Sequence, residues 1–74
     1  MLIRSQNKKE LHNLDEIKMI GVVTNSQDYF VEVNSQHTIG VYSTEEKAIK
    51  VLDMITTNYE RRWEVFQMPQ DSEV

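Results

Sequence analysis

The chain has 74 residues, of which 39% are apolar, 27% charged and 8% aromatic, enough for one small domain and too few for a multidomain enzyme. Twelve acidic against eight basic side chains give a net charge of -4, which disfavours whole-surface binding to a nucleic-acid backbone and leaves room only for a local basic patch. With no Cys there is no disulfide framework, thiolate nucleophile or Cys-type zinc site, and two His alone fall short of a zinc cage, so no metal or cofactor is expected.

The first predicted element is an opening strand within Leu2 to Gln6, turned by Asn7-Lys8-Lys9 into a hairpin. Leu11-His12-Asn13-Leu14 reads equally as strand or as one helical turn. The β-branched run Ile17 to Val23 is the firmer strand, with Gly21 marking a bulge or a close backbone approach. Thr24 to Asp28 is polar and turn-forming. Tyr29, Val31 and Val33 then alternate with Phe30, Glu32 and Asn34, the period of two for a strand with one buried face. Asn34-Ser35-Gln36-His37 turns the chain, and Thr38 to Tyr42 forms the fourth strand.

Ser43-Thr44-Glu45-Glu46 fits a capping box, with the Ser43 hydroxyl and the Glu46 carboxylate satisfying each other's backbone. From Ala48 the apolar positions Val51, Leu52, Ile55 and Tyr59 make one stripe on a 3.6-residue period, so a helix is predicted over about 44–60. Trp63 to Met68 returns to alternation as a fifth strand, which Pro69 ends. Gln70 to Val74 is a polar terminal segment expected to be flexible, leaving a single domain over 1–69.

The fold class is therefore α+β: a mostly antiparallel sheet of four N-terminal strands, one amphipathic helix on one face, and a fifth C-terminal strand. One helix covers one face only. The opposite face would carry Phe30, Ile20 or Val22, and either Trp63 or Phe66, which is much apolar surface to leave in water. A chain of this size buries only about 60% of the surface its unfolded form exposes, so a homodimer or higher oligomer is the expected partner that completes it. No apolar run approaches transmembrane length and no signal-peptide core follows Met1, so a soluble cytoplasmic protein with no membrane partner is expected.

Catalytic signals are poor. His12 and His37 fall on or near turns, no Ser lies in a Gly-x-Ser-x-Gly setting, and the carboxylate pairs Asp15-Glu16 and Glu45-Glu46 are sequence neighbours that diverge by about 100° on a helix. The expectation is a protein that is not an enzyme. Binding has better support. Arg61-Arg62-Trp63 puts two guanidinium groups beside the single indole, as a nucleotide-sized anion would require, although cations at a helix end have the same spelling. Arg4 and Gln6 alternate onto one side of the first strand, where Arg4 serves either an interface salt bridge or a ligand.

Met1-Leu2-Ile3-Arg4-Ser5-Gln6, the stretch from Gly40 to Ile55 containing Tyr42-Ser43-Thr44-Glu45-Glu46-Lys47-Ala48, and Val65-Phe66-Gln67-Met68-Pro69 resemble a family of short uncharacterised proteins from Gram-positive bacteria and their phages. The likeness covers nearly the whole chain apart from 24–38. It implies an accessory protein of phage or prophage type in the host cytoplasm, and, by analogy with that setting, counter-defence. Two modes follow: sequestering a small anionic ligand such as a nucleotide immune signal at an oligomer interface, with Arg4, Gln6, Arg61, Arg62 and Trp63 as binding residues, or inhibiting or adapting a host defence protein through an acidic helix face of Glu45, Glu46, Asp53 and Glu60 or through a sheet edge.

Overall fold

The computed structural model describes residues 1–74, with six strands and one long helix. The strands are Leu2–Arg4 (β1), Leu11–Asn13 (β2), Ile20–Thr24 (β3), Tyr29–Val33 (β4), His37–Tyr42 (β5) and Val65–Gln67 (β6); the helix is Glu45–Glu60 (α1). One-turn 3-10 helices occupy Leu14–Glu16 and Asp71–Glu73. The class is α+β, but the single N-terminal sheet expected from the sequence is divided into two, ordered β2-β1-β6 and β3-β4-β5. The division comes at Leu14: Asn13 Oδ1 accepts from the Asp15 amide at 3.0 Å, and the resulting 3-10 turn deflects the chain before β3 can pair with β2. Leu11 to Leu14 thus contains both alternatives, a strand and then the start of a turn.

Within the first sheet β1 runs antiparallel to β2 and parallel to β6. The last strand therefore joins the first, and α1 links β5 of one sheet to β6 of the other rather than crossing over within one sheet. The second sheet is an antiparallel meander. Its β4–β5 turn places Asn34 and Ser35 at φ 53° and 58°, the pair of left-handed residues that matches the twist of a hairpin. The irregularity in this sheet falls between Val31 and Glu32, not at Gly21, beside which a side chain would meet nothing within 4 Å. The close approach is at Gly40, where an added Cβ would lie 2.9 Å from the Tyr42 ring.

Helix α1 starts one residue later than its sequence suggests. Thr44 is the N-cap, accepting from the Lys47 amide at 3.2 Å, so the Ser43–Glu46 capping box does not form. Ser43 is engaged elsewhere: its amide and hydroxyl both donate to Asp71 Oδ1, at 2.9 and 3.1 Å. The segment 70–74, expected from the sequence to be a flexible tail, makes further contacts. Gln70 Nε2 donates to the Gln6 carbonyl at 2.8 Å, Lys47 Nζ to the Asp71 carbonyl at 2.9 Å, and the segment docks on the domain.

Ala48, Val51 and Ile55 on α1 pack with Ile3 and Phe66 of the first sheet and Val31, Val33, Ile39 and Tyr42 of the second, forming one core across both sheets. Tyr59, the last member of the helical stripe, lies outside it and is exposed. Alternation then decides what faces outward. On the first sheet these residues are Leu2, Arg4, Leu11, Asn13, Val65 and Gln67, with Leu11 61% exposed and Val65 47% exposed. Phe30 faces away from the core as expected and is half-buried, whereas Phe66 lies inside and Trp63 outside. No helix is long and apolar enough to cross a membrane.

Candidate functional site

Helix α1 ends in a compact double hydrogen bond. The Arg62 amide donates to Tyr59 O at 3.0 Å and the Trp63 amide to Asn58 O at 3.1 Å, the pairing of a Schellman stop. Such a stop needs a left-handed residue, usually Gly. Here that residue is Arg62, at φ 59°. A β-carbon in this region costs of order 1–3 kcal/mol and persists where surrounding structure enforces it. The consequence is positional: Arg61, Arg62 and Trp63 are all exposed, with the indole 53% open to solvent.

Arg61 and Arg62 line two different grooves, and Trp63 lines both. Arg61 shares a groove of about 640 Å³ with Lys50, Asp53, Met54, Trp63 and Phe66. Its helical wall follows from spacing, because residues 50, 53, 54, 57, 58 and 61 recur at three- and four-residue intervals and share one face. Arg62 lines a second groove of about 620 Å³ whose other charged members are Asp15, Glu60 and Glu64. The electrostatics separate them: the Arg61 groove carries two cationic side chains against one carboxylate, and the Arg62 groove one cationic side chain and the Met1 residue against three carboxylates. An anion is therefore better received beside Arg61, with Trp63 as the ledge between the two.

Arg4 and Gln6 are not brought to this groove or to each other. Arg4 is exposed on the outer face of the first sheet, where its Nε donates to the Lys8 carbonyl at 3.1 Å and it lines a shallow depression with Lys8 and Lys9. Gln6 is fully engaged within the fold. Its Nε2 donates to the carbonyls of Val41 and Pro69 at 3.0 and 3.1 Å, and its Oε1 accepts from the Val41 amide at 3.0 Å. These bonds tie the end of β1 to β5 and to the C-terminal segment, so Gln6 positions strands and has no free amide for a ligand. Gln67, which faces outward beside Arg4 in register, reaches the Arg61 groove.

A second constellation, not expected from the sequence, lies at the edge strands β2 and β5. His12 on β2 and His37 at the start of β5 both direct Nε2 to the same oxygen, Glu10 Oε1, at 3.1 and 2.7 Å. Their ring centroids are 5.2 Å apart and the planes are tilted by 50°. The hydrogen bonds from His12 and then His37 hold the Glu10 carboxyl below the usual glutamate range, against a smaller opposing effect of burial. Glu10 is itself anchored, its amide donating to the buried Ser5 hydroxyl at 3.1 Å and its carbonyl accepting from the Ser5 amide at 3.0 Å. Glu10-x-His12 is a same-face pair once this segment is a strand, which was the one signal available in the sequence. The 25-residue separation of His37 hid the third member.

Comparison of the chain with protein-family models, with curated proteins and with solved structures finds no match in any of the three.

Proposed function

We propose that the protein is a non-enzymatic accessory protein of phage or prophage type that acts in counter-defence by capturing a small anionic ligand, such as a nucleotide immune signal, in the host cytoplasm. The observation that carries this reading is the helix stop, which holds Arg62 in left-handed backbone without a glycine and leaves a half-exposed indole lining the same groove as Arg61. A nucleotide offers a base for Trp63 to stack on and a phosphate for Arg61 and Lys50, and a groove of about 640 Å³ falls in the usual size range for such ligands.

Self-association belongs to the same proposal. Leu2, Leu11 and Val65 form an uncovered apolar strip on the first sheet, with Leu2 and Val65 in direct register. Arg4 stands among them with no carboxylate within ion-pair distance. A second copy laid on this face in two-fold fashion brings two Arg4 groups together, and an anion between them relieves their repulsion. The rival mode, inhibition of a host defence protein, would use the same strip together with the exposed carboxylates Glu45, Glu46, Asp53 and Glu60 on α1.

Calorimetric titration with a panel of cyclic and linear nucleotides tests the reading. One of them should bind saturably and be recovered chemically unchanged, and Arg61→Ala and Trp63→Ala should each weaken it at least tenfold. Light scattering should report a dimer or larger. A panel without a binder, alongside a stoichiometric protein captured from a defence-bearing host, would transfer the function to the inhibitor mode. Turnover of a bound nucleotide would overturn the non-enzymatic assignment.

A further inference from the structure

We propose that Glu10, His12 and His37 form a binding site for one divalent transition-metal ion, zinc foremost, that ties the two sheets together. The three side chains offer two imidazole nitrogens and a carboxylate oxygen whose ligating atoms all lie within 4.8 Å of one another. Two histidines and a carboxylate are a recurrent zinc donor set, with bonds of about 2.0–2.2 Å and tetrahedral angles, so neighbouring donors sit about 3.3–3.5 Å apart. The observed 2.7 and 3.1 Å contacts to Glu10 Oε1 need to open by about 0.2–0.8 Å to admit the ion, and a donor pair standing toward the 4.8 Å limit closes by rotation of the exposed His37 ring.

The donors are already held in place. His12 lies within β2 opposite Ile3, His37 begins β5 opposite Val33, and Glu10 is clamped by two hydrogen bonds to Ser5. Pre-organisation of this kind lowers the ordering cost of binding. In the ion-free arrangement each imidazole donates an Nε2 proton to Glu10; binding the ion requires that proton to leave Nε2, so that each ring then carries its one proton on Nδ1 and presents the Nε2 lone pair. The ring of His37 is half exposed, which leaves a fourth coordination position to water. Nitrogen donors favour zinc, cobalt, nickel or copper over magnesium or calcium. The ion would join β2 of the first sheet to β5 of the second, a cross-link for a 74-residue chain that has no cysteine. This site is separate from the Arg61 groove and stands whether or not that groove binds a nucleotide.

The experiment is titration of the metal-stripped full chain with zinc chloride by calorimetry, paralleled by cobalt chloride followed through its visible absorption. One ion per chain should bind with micromolar or tighter affinity, cobalt should give the intense bands of a tetrahedral site, and magnesium chloride should give no heat. Zinc should raise the thermal midpoint, and a chelator should return it. His37→Gln and Glu10→Gln should each weaken zinc at least tenfold while circular dichroism reports the same fold. His37 is exposed at a strand end, so its variant keeps the test informative even where His12→Ala unfolds. Absence of saturable zinc binding, or unchanged affinity in His37→Gln, would overturn the site and leave the cluster as a hydrogen-bonded pin between sheets.

Discussion

The Tyr42 hydroxyl donates to the Pro69 carbonyl at 2.8 Å, joining the end of β5 to the segment that follows β6 across 27 residues of chain. The phenol is buried, and burial pushes its ionisation well above the ordinary tyrosine range, with the Asp71 and Glu73 carboxylates adding to the shift. It therefore stays a neutral donor throughout the working pH range. The Pro69 carbonyl has a second donor, Gln6 Nε2 at 3.1 Å. Tyr42→Phe removes one of two bonds and strands no acceptor, so it should lower stability by about 1 kcal/mol in denaturant unfolding. A loss several times larger would show that the hydroxyl organises more than this bond.

Behind Tyr42 lies Gly40, and there the space is closed. A Cβ at Gly40 would stand 2.9 Å from the ring and 3.0 Å from the Met68 methyl. Met68 can rotate, but the tyrosine ring is held by its hydrogen bond and by the core. Gly40→Ala should therefore cost about 1–3 kcal/mol as an overpacked site. Gly21→Ala, which meets nothing within 4 Å, should stay within about 0.5 kcal/mol of the parent. Equal midpoints for the two variants would refute the steric account.

The contact between Ser43 and Asp71 predicts a pH dependence. The Ser43 amide, and after it the Ser43 hydroxyl and Lys47, hold the Asp71 carboxyl below its ordinary range, opposed by partial desolvation. A carboxyl lowered by folding stabilises the native state above its unfolded value, near about 4, and loses that contribution as pH falls through its folded value. The parent should therefore exceed Asp71→Asn in unfolding midpoint at about pH 7, and the gap should narrow progressively as the pH falls below about 4. A difference that persists unchanged in acid would remove the charge from the explanation.

Arg62 offers a test of stability against binding. Replacing it with Gly relieves the left-handed backbone and costs some unfolded-state entropy, for a net gain of about 0.5–1 kcal/mol and several degrees in thermal midpoint. Nucleotide affinity at the Arg61 groove should change little, because Arg62 lines the other, more acidic groove and not this one. A destabilised Arg62→Gly would mean that the arginine side chain contributes packing that outweighs its backbone strain.

Local chemistry was legible in the amino-acid order. The Ala48-Val51-Ile55 stripe marks the buried face of α1, the alternation of Tyr29 to Val33 marks β4, and Asn34-Ser35 marks its turn, because each depends on residues within one or two turns of chain. The exposed Arg61-Arg62-Trp63 run was visible too, though not that Arg61 and Arg62 line different grooves. Periodicity states which face of a segment is apolar and is silent on which neighbour covers it. Hence the split into two sheets, the parallel β1–β6 pairing, the shift of the helix cap to Thr44 and the meeting of Glu10, His12 and His37 emerged only in three dimensions. The decisive bonds, such as Gln6 to Pro69 and Gln70 to Gln6, span 63 and 64 residues. Partners that distant leave no mark on local spacing, and they exist only once the core has drawn both ends of the chain together.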